Sequence, residues 1–367
     1  MRTLQVDLGE RSYPIYIGGG LLDKAGEYFE QHQLAKKSPV LIVTDDNVAP
    51  LYLNKVEGAL NASGYTTVSK IVPSGEKSKS LQVFEDIMTT AIEGGLDRRS
   101  SVVALGGGVV GDLAGFVAAS YMRGVAFIQM PTTILAHDSS VGGKVAVNHP
   151  LAKNMIGAFH QPEMVLYDVD TLQSLPDREI RAGLSEMVKH GLIWDAEFAA
   201  WCKEHTQELL TLDPDALGYG LTMGCSIKAK VVSSDEKEQG LRAILNLGHT
   251  IGHALEAIGG YGEFLHGEAI SIGMAAAALI AVNRGRDREL YNETVELLKG
   301  FGLPTVMPKQ LDENEIISAM MHDKKFKENQ IVFVLPLSIG TVEIVSDVKL
   351  DEVLRAIREL KKEGQHV

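Results

Sequence analysis

Apolar and polar residues follow two alternating spacings in the first half of the chain. Short apolar runs predict buried strands, and they occur at 40–44, 65–72, 101–105 and 126–130. Stretches with apolar residues three and four positions apart lie among these runs, around 52–63 and 81–93, and they predict helices. This alternation predicts a mostly parallel sheet with helices on its faces.

The spacing changes after Pro176, where long helical segments dominate. Helices are expected at 178–193, 197–210, 216–233, 250–259, 269–283 and 291–301, and a hairpin is expected from 330–335 and 341–345. We therefore predict an α/β domain over residues 1–178 and a mainly α-helical domain over residues 179–367. A functional site is expected between the two domains.

Composition and charge exclude several classes of protein. The 367 residues are 45% hydrophobic and 23% charged, which is the mix of a globular protein. A net charge of −13 disfavours binding to nucleic acid or to an anionic membrane. The N-terminus lacks the apolar stretch of a signal peptide, and two cysteines cannot form a disulfide framework. We expect a cytoplasmic protein.

A glycine-rich turn follows the strand predicted at 101–105. Gly106, Gly108 and Gly111 fit G-x-G-x-x-G between a strand and a helix, where the backbone can approach a pyrophosphate. No acidic residue lies about 20 residues further on to hold a ribose, so a tight turn for strand–helix packing is the alternative. Asp45, at the end of an earlier strand, could reach a ribose or cap a turn. The turn makes the α/β domain a candidate nucleotide-binding domain.

Histidines in the second half have the spacing of a metal site. His249 and His253 are four residues apart and would share a helix face, and His266 follows a glycine-rich turn that could fold it back toward them. Two imidazoles and a carboxylate make an open site for a divalent metal such as zinc. Glu186, in a mostly apolar helical run, is a candidate carboxylate, and His190 is a competing ligand. The alternative is a salt bridge for Glu186 and a structural role for each histidine.

Basic residues also occur in uncharged, glycine-rich surroundings. Lys144 and Lys153 are each predicted to lie in a loop of this kind. Taken singly, each base is most simply a solvated surface residue. Gathered around one cleft, they would bind a phosphate and a carboxylate.

Seven motifs together resemble the 3-dehydroquinate synthase family of sugar-phosphate cyclases, over essentially the whole chain. They are PSGEKSK at 73–79, GGGVVGDL at 106–113, PTT at 131–133, DSSVGGK at 138–144, KNMIGAF at 153–159, NLGHT at 246–250 and LHGEA at 265–269. His137 and Ala152, which neighbour two of these motifs, differ from the residues usual in the family.

The resemblance implies a carbon–oxygen lyase of the shikimate pathway, on the way to chorismate and the aromatic amino acids. Such an enzyme cyclises 3-deoxy-D-arabino-heptulosonate 7-phosphate to 3-dehydroquinate and releases phosphate. The implied route is transient oxidation at C5 by NAD, elimination of phosphate, reduction, ring opening and an intramolecular aldol closure. The implied cofactors are NAD and one divalent metal, zinc or cobalt, and the implied assembly is a homodimer.

The same resemblance assigns site residues by position. It implies that the metal ligands are Glu186, His249 and His266, which selects Glu186 over His190. Implied substrate contacts are Arg123, Asp138, Lys144, Lys153, Asn154, Lys189, Lys228, Arg242, Asn246, His253 and Lys324. Implied NAD contacts are Asp45, Glu76, Lys79, Gly107, Gly108, Asp112, Thr132, Thr133, Lys144, Lys153 and Thr171.

Three other functions are compatible with parts of the pattern. A related sugar-phosphate cyclase would share the metal site but differ in the lysine and asparagine pocket. A metal-dependent polyol dehydrogenase would share the architecture, but a neutral polyol has no anion for the pocket lysines to pair. A nucleotide-binding scaffold protein would be expected to have lost the metal ligands, all of which are present.

Overall fold

The computed structural model describes residues 1–238, 240–259, 263–324 and 331–363, apart from the side chains of 322–324. The chain forms two compact units. The first comprises Met1–Leu175 with Pro214–Ser233, and the second comprises Pro176–Asp213 with Ser234–Val367.

The described strands and helices are numbered in chain order. The strands are β1 (Arg2–Val6), β2 (Tyr13–Gly18), β3 (Val40–Asp45), β4 (Thr67–Val72), β5 (Ser101–Gly106), β6 (Ala126–Pro131), β7 (Lys144–His149), β8 (Ala152–Phe159), β9 (Met164–Asp168), β10 (Phe333–Ser338) and β11 (Thr341–Val345). The helices are α1 (Ala25–Gln31), α2 (Asn54–Ala62), α3 (Leu81–Glu93), α4 (Gly108–Ser120), α5 (Ala136–Ser139), α6 (Asp177–Trp194), α7 (Ala196–Glu204), α8 (Thr206–Leu210), α9 (Pro214–Ser234), α10 (His249–Gly259), α11 (His266–Asn283), α12 (Arg288–Gly300), α13 (Glu313–Lys324) and α14 (Leu350–Glu363).

A seven-stranded sheet is the centre of the first unit. Its strand order is β1-β2-β9-β6-β5-β3-β4, and every neighbouring pair is parallel except β1 with β2. Side chains of β3 alternate between two apolar cores: Ile42 packs into one, and Leu41 and Val43 pack into the other. Because both faces of the sheet are covered, the central strands are continuous apolar runs. The predicted α/β fold of this half is confirmed.

Residues 1–7 alternate polar and apolar like a strand and match β1, but β2 and β9 of the sheet and a separate hairpin were not predicted. β2 and β9 pair with each other in the sheet, and β7 pairs with β8 as an antiparallel hairpin. The prediction that Lys144 and Lys153 lie in loops is wrong, because Lys144 begins β7 and Lys153 lies in β8. β8 is largely exposed, so it lacks the apolar run that indicates a buried strand.

Helix α9 is grouped with the first unit, whereas the sequence pattern placed it with the helices that follow Pro176. Its Ser233 hydroxyl donates to the carbonyl oxygen of Asp7 at 2.6 Å, and its Cys225 Sγ lies 3.5 Å from the carbonyl oxygen of His137. The first break between the units, at Leu175/Pro176, lies three residues before the expected boundary at 178/179. Helical spacing reveals a buried face but not the element that buries it.

The second unit is mainly helical, as predicted, with β10 and β11 as its antiparallel hairpin. Helix α11 is long and apolar enough to span a membrane by length and composition, but 78% of its residues are buried inside the protein. That burial is typical of a core helix. Next to α11, the loop before α10 approaches so closely that a Cβ atom on Gly273 would overlap the carbonyl oxygen of Gly248.

This close approach predicts that Gly273→Ala destabilises the protein. The added methyl group has no space, and overpacking of this kind costs about 1–3 kcal/mol in the free energy of unfolding. Denaturant unfolding of the whole chain measures the effect. Gly300→Ala is the matched control, because Gly300 ends α12 and a Cβ there would meet no atom closer than 3.8 Å. Equal stability of the two variants would contradict the packing described here.

Candidate active site

Three side chains with metal-binding atoms meet around Glu186 in the second unit. Glu186 lies within α6 and is only 1% exposed. Its Oε1 lies 3.7 Å from Nε2 of His249 and 3.6 Å from Nε2 of His266. One ligand atom from each of the three residues lies within 4.8 Å of the others. One carboxylate and two imidazoles at this spacing fit a divalent metal such as zinc and leave a position open for a substrate.

Glycines bring the two histidines to Glu186. Gly248, immediately before His249, has a φ of 80°, a left-handed conformation that glycine adopts without strain and that turns the chain into α10. Gly267, immediately after His266, packs so closely that a Cβ there would overlap the carbonyl oxygen of Ala182 in α6. Local backbone geometry therefore fixes the starts of α10 and α11 beside α6.

The outer ring nitrogens of both histidines are also held. His249 Nδ1 lies 3.1 Å from the carbonyl oxygen of Leu247, and His266 Nδ1 lies 3.1 Å from Oε2 of Glu256. A proton on each Nδ1 would leave each Nε2 with a lone pair directed toward Glu186. This is the usual arrangement around metal-binding imidazoles, and it strengthens the fit of a metal to these residues.

The pKa values of the two histidines are shifted in opposite directions. Burial, reinforced by the charge of Lys189, holds the pKa of His249 well below its usual value, so that its ring is neutral and able to act as a ligand. Burial lowers the pKa of His266 as well, but the nearby carboxylates of Glu186 and Glu256 outweigh it and raise that pKa to about 10. Two carboxylates therefore favour positive charge at this point, which a metal cation would also supply.

Two predicted substrate contacts adjoin the metal-binding group. Lys189 forms an ion pair with Glu186 one turn away in α6, and both side chains are 1% exposed. The His253 ring lies 5.2 Å from the His249 ring, in an edge-on arrangement, and is exposed. His190, the competing ligand, is fully buried in the same helix as Glu186.

Arg242 and Asn246 lie in the same unit, in a 3-10 segment that precedes α10. Arg242 is 2% exposed, and its guanidinium donates to the carbonyl oxygen of Glu236. The Asn246 amide donates to Glu238 Oε1 at 3.3 Å. Lys324, the remaining predicted contact of this unit, has its side chain outside the described part of the chain.

In the first unit, the glycine turn lies where β5 passes into α4. A Cβ on Gly107 would lie 2.9 Å from Thr133 Cγ2, and one on Gly108 would lie 3.2 Å from Ser139 Oγ. The Thr132 amide donates to the carbonyl oxygen of Gly106 at 3.0 Å, while its buried hydroxyl has no partner among the residues that the structure describes. A helix N-terminus and a buried hydroxyl with no partner in the described part of the chain together fit the phosphates of a nucleotide.

A hydrogen-bonded network joins predicted NAD contacts to a predicted substrate contact. Lys79 is 5% exposed. Its Nζ donates to Asp112 Oδ2 at 2.7 Å and to Asn154 Oδ1 at 2.6 Å. The side-chain Nδ2 of Asn148 donates to Glu76 Oε1 at 2.8 Å, and its Oδ1 accepts from the backbone N–H of Asn154 at 2.8 Å. Burial raises the pKa of Asp112, and the ammonium of Lys79 opposes that shift.

A second pair of predicted substrate contacts is also in place. The Nζ of Lys228 in α9 lies 2.8 Å from Asp138 Oδ2, and Lys228 is 7% exposed. The neighbouring His137, one of the residues unusual for the family, is fully buried, and its Nδ1 lies 2.6 Å from the carbonyl oxygen of Ile134. His137 thus has a structural bond of its own beside Asp138.

The other predicted contacts of the first unit lie in different surroundings. Asp45 Oδ1 accepts from the amides of Asn47 and Val48, at 2.9 and 3.0 Å, which is the turn-capping alternative considered for it. The Thr171 hydroxyl donates to the carbonyl oxygen of Asp168 at 2.7 Å. Arg123, Lys144 and Lys153 are exposed. Roles for these residues stay predictions.

Sequence reasoning missed Glu256 and Asn148, both of which hold predicted site residues. Glu256 carried a usable signal, because it follows His253 by three residues and His249 by seven, on one face of a helix. Asn148 carried none, since its position depends on the pairing of β7 with β8.

Comparisons with known proteins cover nearly the whole chain. The family models described as 3-dehydroquinate synthase N-terminal and C-terminal match residues 69–182 and 183–326. A 3-dehydroquinate synthase from Desulforamulus reducens is 53% identical over 361 residues, which cover 98% of this chain and 100% of the relative. The chain belongs to the 3-dehydroquinate synthase family. The resemblance drawn from the sequence motifs is thereby confirmed.

Solved structures of related cyclases share the fold. A 2-deoxy-scyllo-inosose synthase in complex with carbaglucose-6-phosphate, NAD+ and Co2+ is 28% identical, with a TM-score of 0.88 over 98% of this chain and 99% of its own. The 2-epi-5-epi-valiolone synthase ValA from Streptomyces hygroscopicus subsp. jinggangensis, with NAD+ and Zn2+ bound, is 26% identical, with a TM-score of 0.86 over 97% and 99%. The two-domain fold predicted from the sequence is that of the 3-dehydroquinate synthase family and its cyclase neighbours.

The metal-binding group predicts that His249→Ala abolishes stable retention of zinc, because it leaves only one imidazole and a carboxylate. Metal analysis of the purified protein after dialysis against zinc measures the loss. His205→Ala is the control, since His205 stacks on Trp201 elsewhere in the second unit. Zinc retained at wild-type stoichiometry in His249→Ala would refute the assignment.

Proposed function

We propose that this chain is a 3-dehydroquinate synthase, which converts 3-deoxy-D-arabino-heptulosonate 7-phosphate to 3-dehydroquinate and phosphate with NAD and one divalent metal. The observation that carries the proposal is the convergence of Glu186, His249 and His266 in a chain 53% identical to a 3-dehydroquinate synthase. When bound, NAD supplies a reversible hydride acceptor and the metal supplies a Lewis acid for substrate hydroxyl groups.

The metal would be held by Glu186 and by Nε2 of both histidines. Lys189, paired with Glu186 in α6, provides a buried positive charge beside these ligands. We assign Lys189, Arg242 and Asn246 to the polar groups of the substrate, because an arginine and a lysine suit a carboxylate or phosphate. We assign His253, whose exposed ring lies close to that of His249, to the substrate side. Lys324 is assigned to the substrate by family resemblance alone.

NAD would be held at the turn between β5 and α4. The glycines Gly107 and Gly108 and the N-terminus of α4 suit a pyrophosphate. The buried Thr132 hydroxyl supplies a further polar group there. The remaining NAD contacts are proposed from the resemblance at Asp45, Glu76, Lys79, Asp112, Thr133, Lys144, Lys153 and Thr171.

Further residues of the first unit are assigned to the substrate. Asp138 and Lys228 form a preorganised ion pair, and Asn154 is oriented by Lys79 and Asn148. Arg123, Lys144 and Lys153 are exposed cations, whose charge suits an anionic substrate. Much of the work proposed for these residues is positioning, which alone can lower a barrier by several kcal/mol.

We also propose that the chain acts as a homodimer in the cytoplasm, without a nucleic-acid or membrane partner. Family resemblance supports the dimer, and the net charge of −13 disfavours polyanionic partners. Light scattering of the purified protein would give about twice the chain mass of 39.8 kDa, and a single-chain mass would contradict the dimer.

A phosphate-release assay tests the catalytic proposal. Purified protein with NAD+, zinc or cobalt and the heptulosonate phosphate is expected to release one phosphate per substrate consumed, with no net growth of NADH absorbance. Removal of the metal by a chelator should stop release, and added zinc or cobalt should restore it. No phosphate from folded, metal-loaded protein would contradict the proposal.

The same assay separates the alternatives. Steady accumulation of NADH with glycerol would identify a polyol dehydrogenase. Faster turnover of a carboxylate-free sugar phosphate would identify another cyclase. The 2-deoxy-scyllo-inosose synthase in complex with carbaglucose-6-phosphate is an enzyme of this kind.

Lys228→Met is expected to lower kcat/KM by about 30-fold or more, because removing one partner of a buried charge pair costs about 2–5 kcal/mol. Steady-state phosphate release measures the change. Lys230→Met is the matched control, since Lys230 is an exposed lysine two residues further along α9, and this variant should keep wild-type kcat/KM. Equal effects of the two substitutions would contradict the role of Lys228.

A further inference from the structure

Glu256 lies against the metal-binding group, although neither the sequence motifs nor the family resemblance gives it a role. It lies in α10, seven residues after His249, and its side chain is 16% exposed. Its Oε2 lies 3.1 Å from Nδ1 of His266, while Nε2 of the same ring lies 3.6 Å from Oε1 of Glu186. The His266 ring is therefore held between two carboxylates, one at each nitrogen.

We propose that Glu256 is a positioning residue for the metal site. By accepting a hydrogen bond from Nδ1–H of His266, its carboxylate fixes the tautomer whose Nε2 carries the lone pair, and it aims that lone pair at the position shared with Glu186 and His249. A carboxylate bonded to the outer nitrogen also makes an imidazole a stronger metal ligand. The inference rests on the proposed function, because it takes these three residues as the metal ligands.

The two histidines differ in how their outer nitrogens are held. His249 Nδ1 meets the backbone carbonyl oxygen of Leu247, which no side-chain substitution removes. His266 begins α11, and its outer nitrogen meets a side chain from the neighbouring helix α10. Glu256 is thus the point at which the orientation of one ligand can be changed without replacing a ligand.

A second group of possible metal ligands, which shares His266 with the first, offers a competing explanation for the position of Glu256. His253, Glu256 and His266 also have ligand atoms within 4.8 Å of one another. If the metal were bound there, Glu256 would coordinate it directly, and His253 would matter for affinity as much as Glu256 does. If Glu256 only orients His266, His253 contributes nothing to metal affinity.

Zinc affinity of the full chain, measured by competition with a chromophoric chelator, tests the proposal without relying on activity. Glu256→Ala is expected to weaken zinc binding by about 10- to 100-fold. Glu256→Gln should recover part of this loss, because the amide oxygen still accepts from Nδ1–H although the charge is gone. Glu208→Gln, at an exposed carboxylate of α8, and His253→Ala should both keep wild-type affinity. Metal-free Glu256→Gln should remain folded, with the circular dichroism spectrum of the wild type.

Cobalt substitution gives a second readout, because the visible spectrum of bound Co2+ reports the geometry of its ligands. Glu256→Ala should change that spectrum, and Glu256→Gln should resemble the wild type more closely. Wild-type zinc affinity in Glu256→Ala, equal losses in the Ala and Gln variants, or an equal loss in His253→Ala would each overturn the inference. If the wild-type protein itself binds no zinc, the proposed metal site fails instead, and the two failures are thereby distinguished.

Discussion

A negative charge buried in the middle of α6 constrains the whole second unit. Glu186 is 1% exposed, and a carboxylate taken out of water is costly unless other charges or hydrogen bonds compensate it. Lys189 supplies one compensating charge from the same helix, and two imidazoles approach from the starts of α10 and α11. The tight contacts of Gly267 with α6 and of Gly248 with α11 follow from this arrangement, because α10 and α11 must both begin close to Glu186. A divalent metal adds the positive charge that so acidic and buried a group favours.

In the first unit, the parallel sheet brings several predicted NAD contacts to one edge. β3, β5 and β6 are neighbours and point the same way, so the residues that follow them emerge along one edge. That edge carries Asp45, the Gly107–Gly108 turn and Thr132. The network around Lys79 ties this region to the β7–β8 hairpin through Asn148 and Asn154. Residues proposed for NAD and for the substrate therefore share hydrogen bonds, and a change at one is expected to affect the other.

Sequence alone predicted the elements whose burial is regular. The helical spacing at 81–93 matches α3, and the apolar run at 101–105 matches β5 to within one residue. The exposed β8 was missed because half-exposed strands lack a distinctive apolar run. The grouping of α9 with the first unit could not be read from helical spacing, because it depends on partners such as Asp138, which lies 90 residues earlier in the chain.

The site residues divide in the same way. Glu186 was recognisable because a charge in an apolar helix is conspicuous, and the histidines because four-residue spacing shares a helix face. Nothing in their spacing separated Glu186 from His190 as a ligand; the family resemblance made that choice, and the structure brings Glu186 to both histidines. Asn148 was invisible, since an asparagine in a polar stretch acquires its role only from the pairing of β7 with β8.

The position of the metal tests this account most directly. An anomalous difference map at the zinc absorption edge, from crystals grown with zinc, should show one strong peak bonded to Glu186 Oε1 and to Nε2 of His249 and His266, at about 2.0–2.2 Å. A peak bonded instead to His190, or to His253 with Glu256, would contradict the assignment on which the proposed function rests.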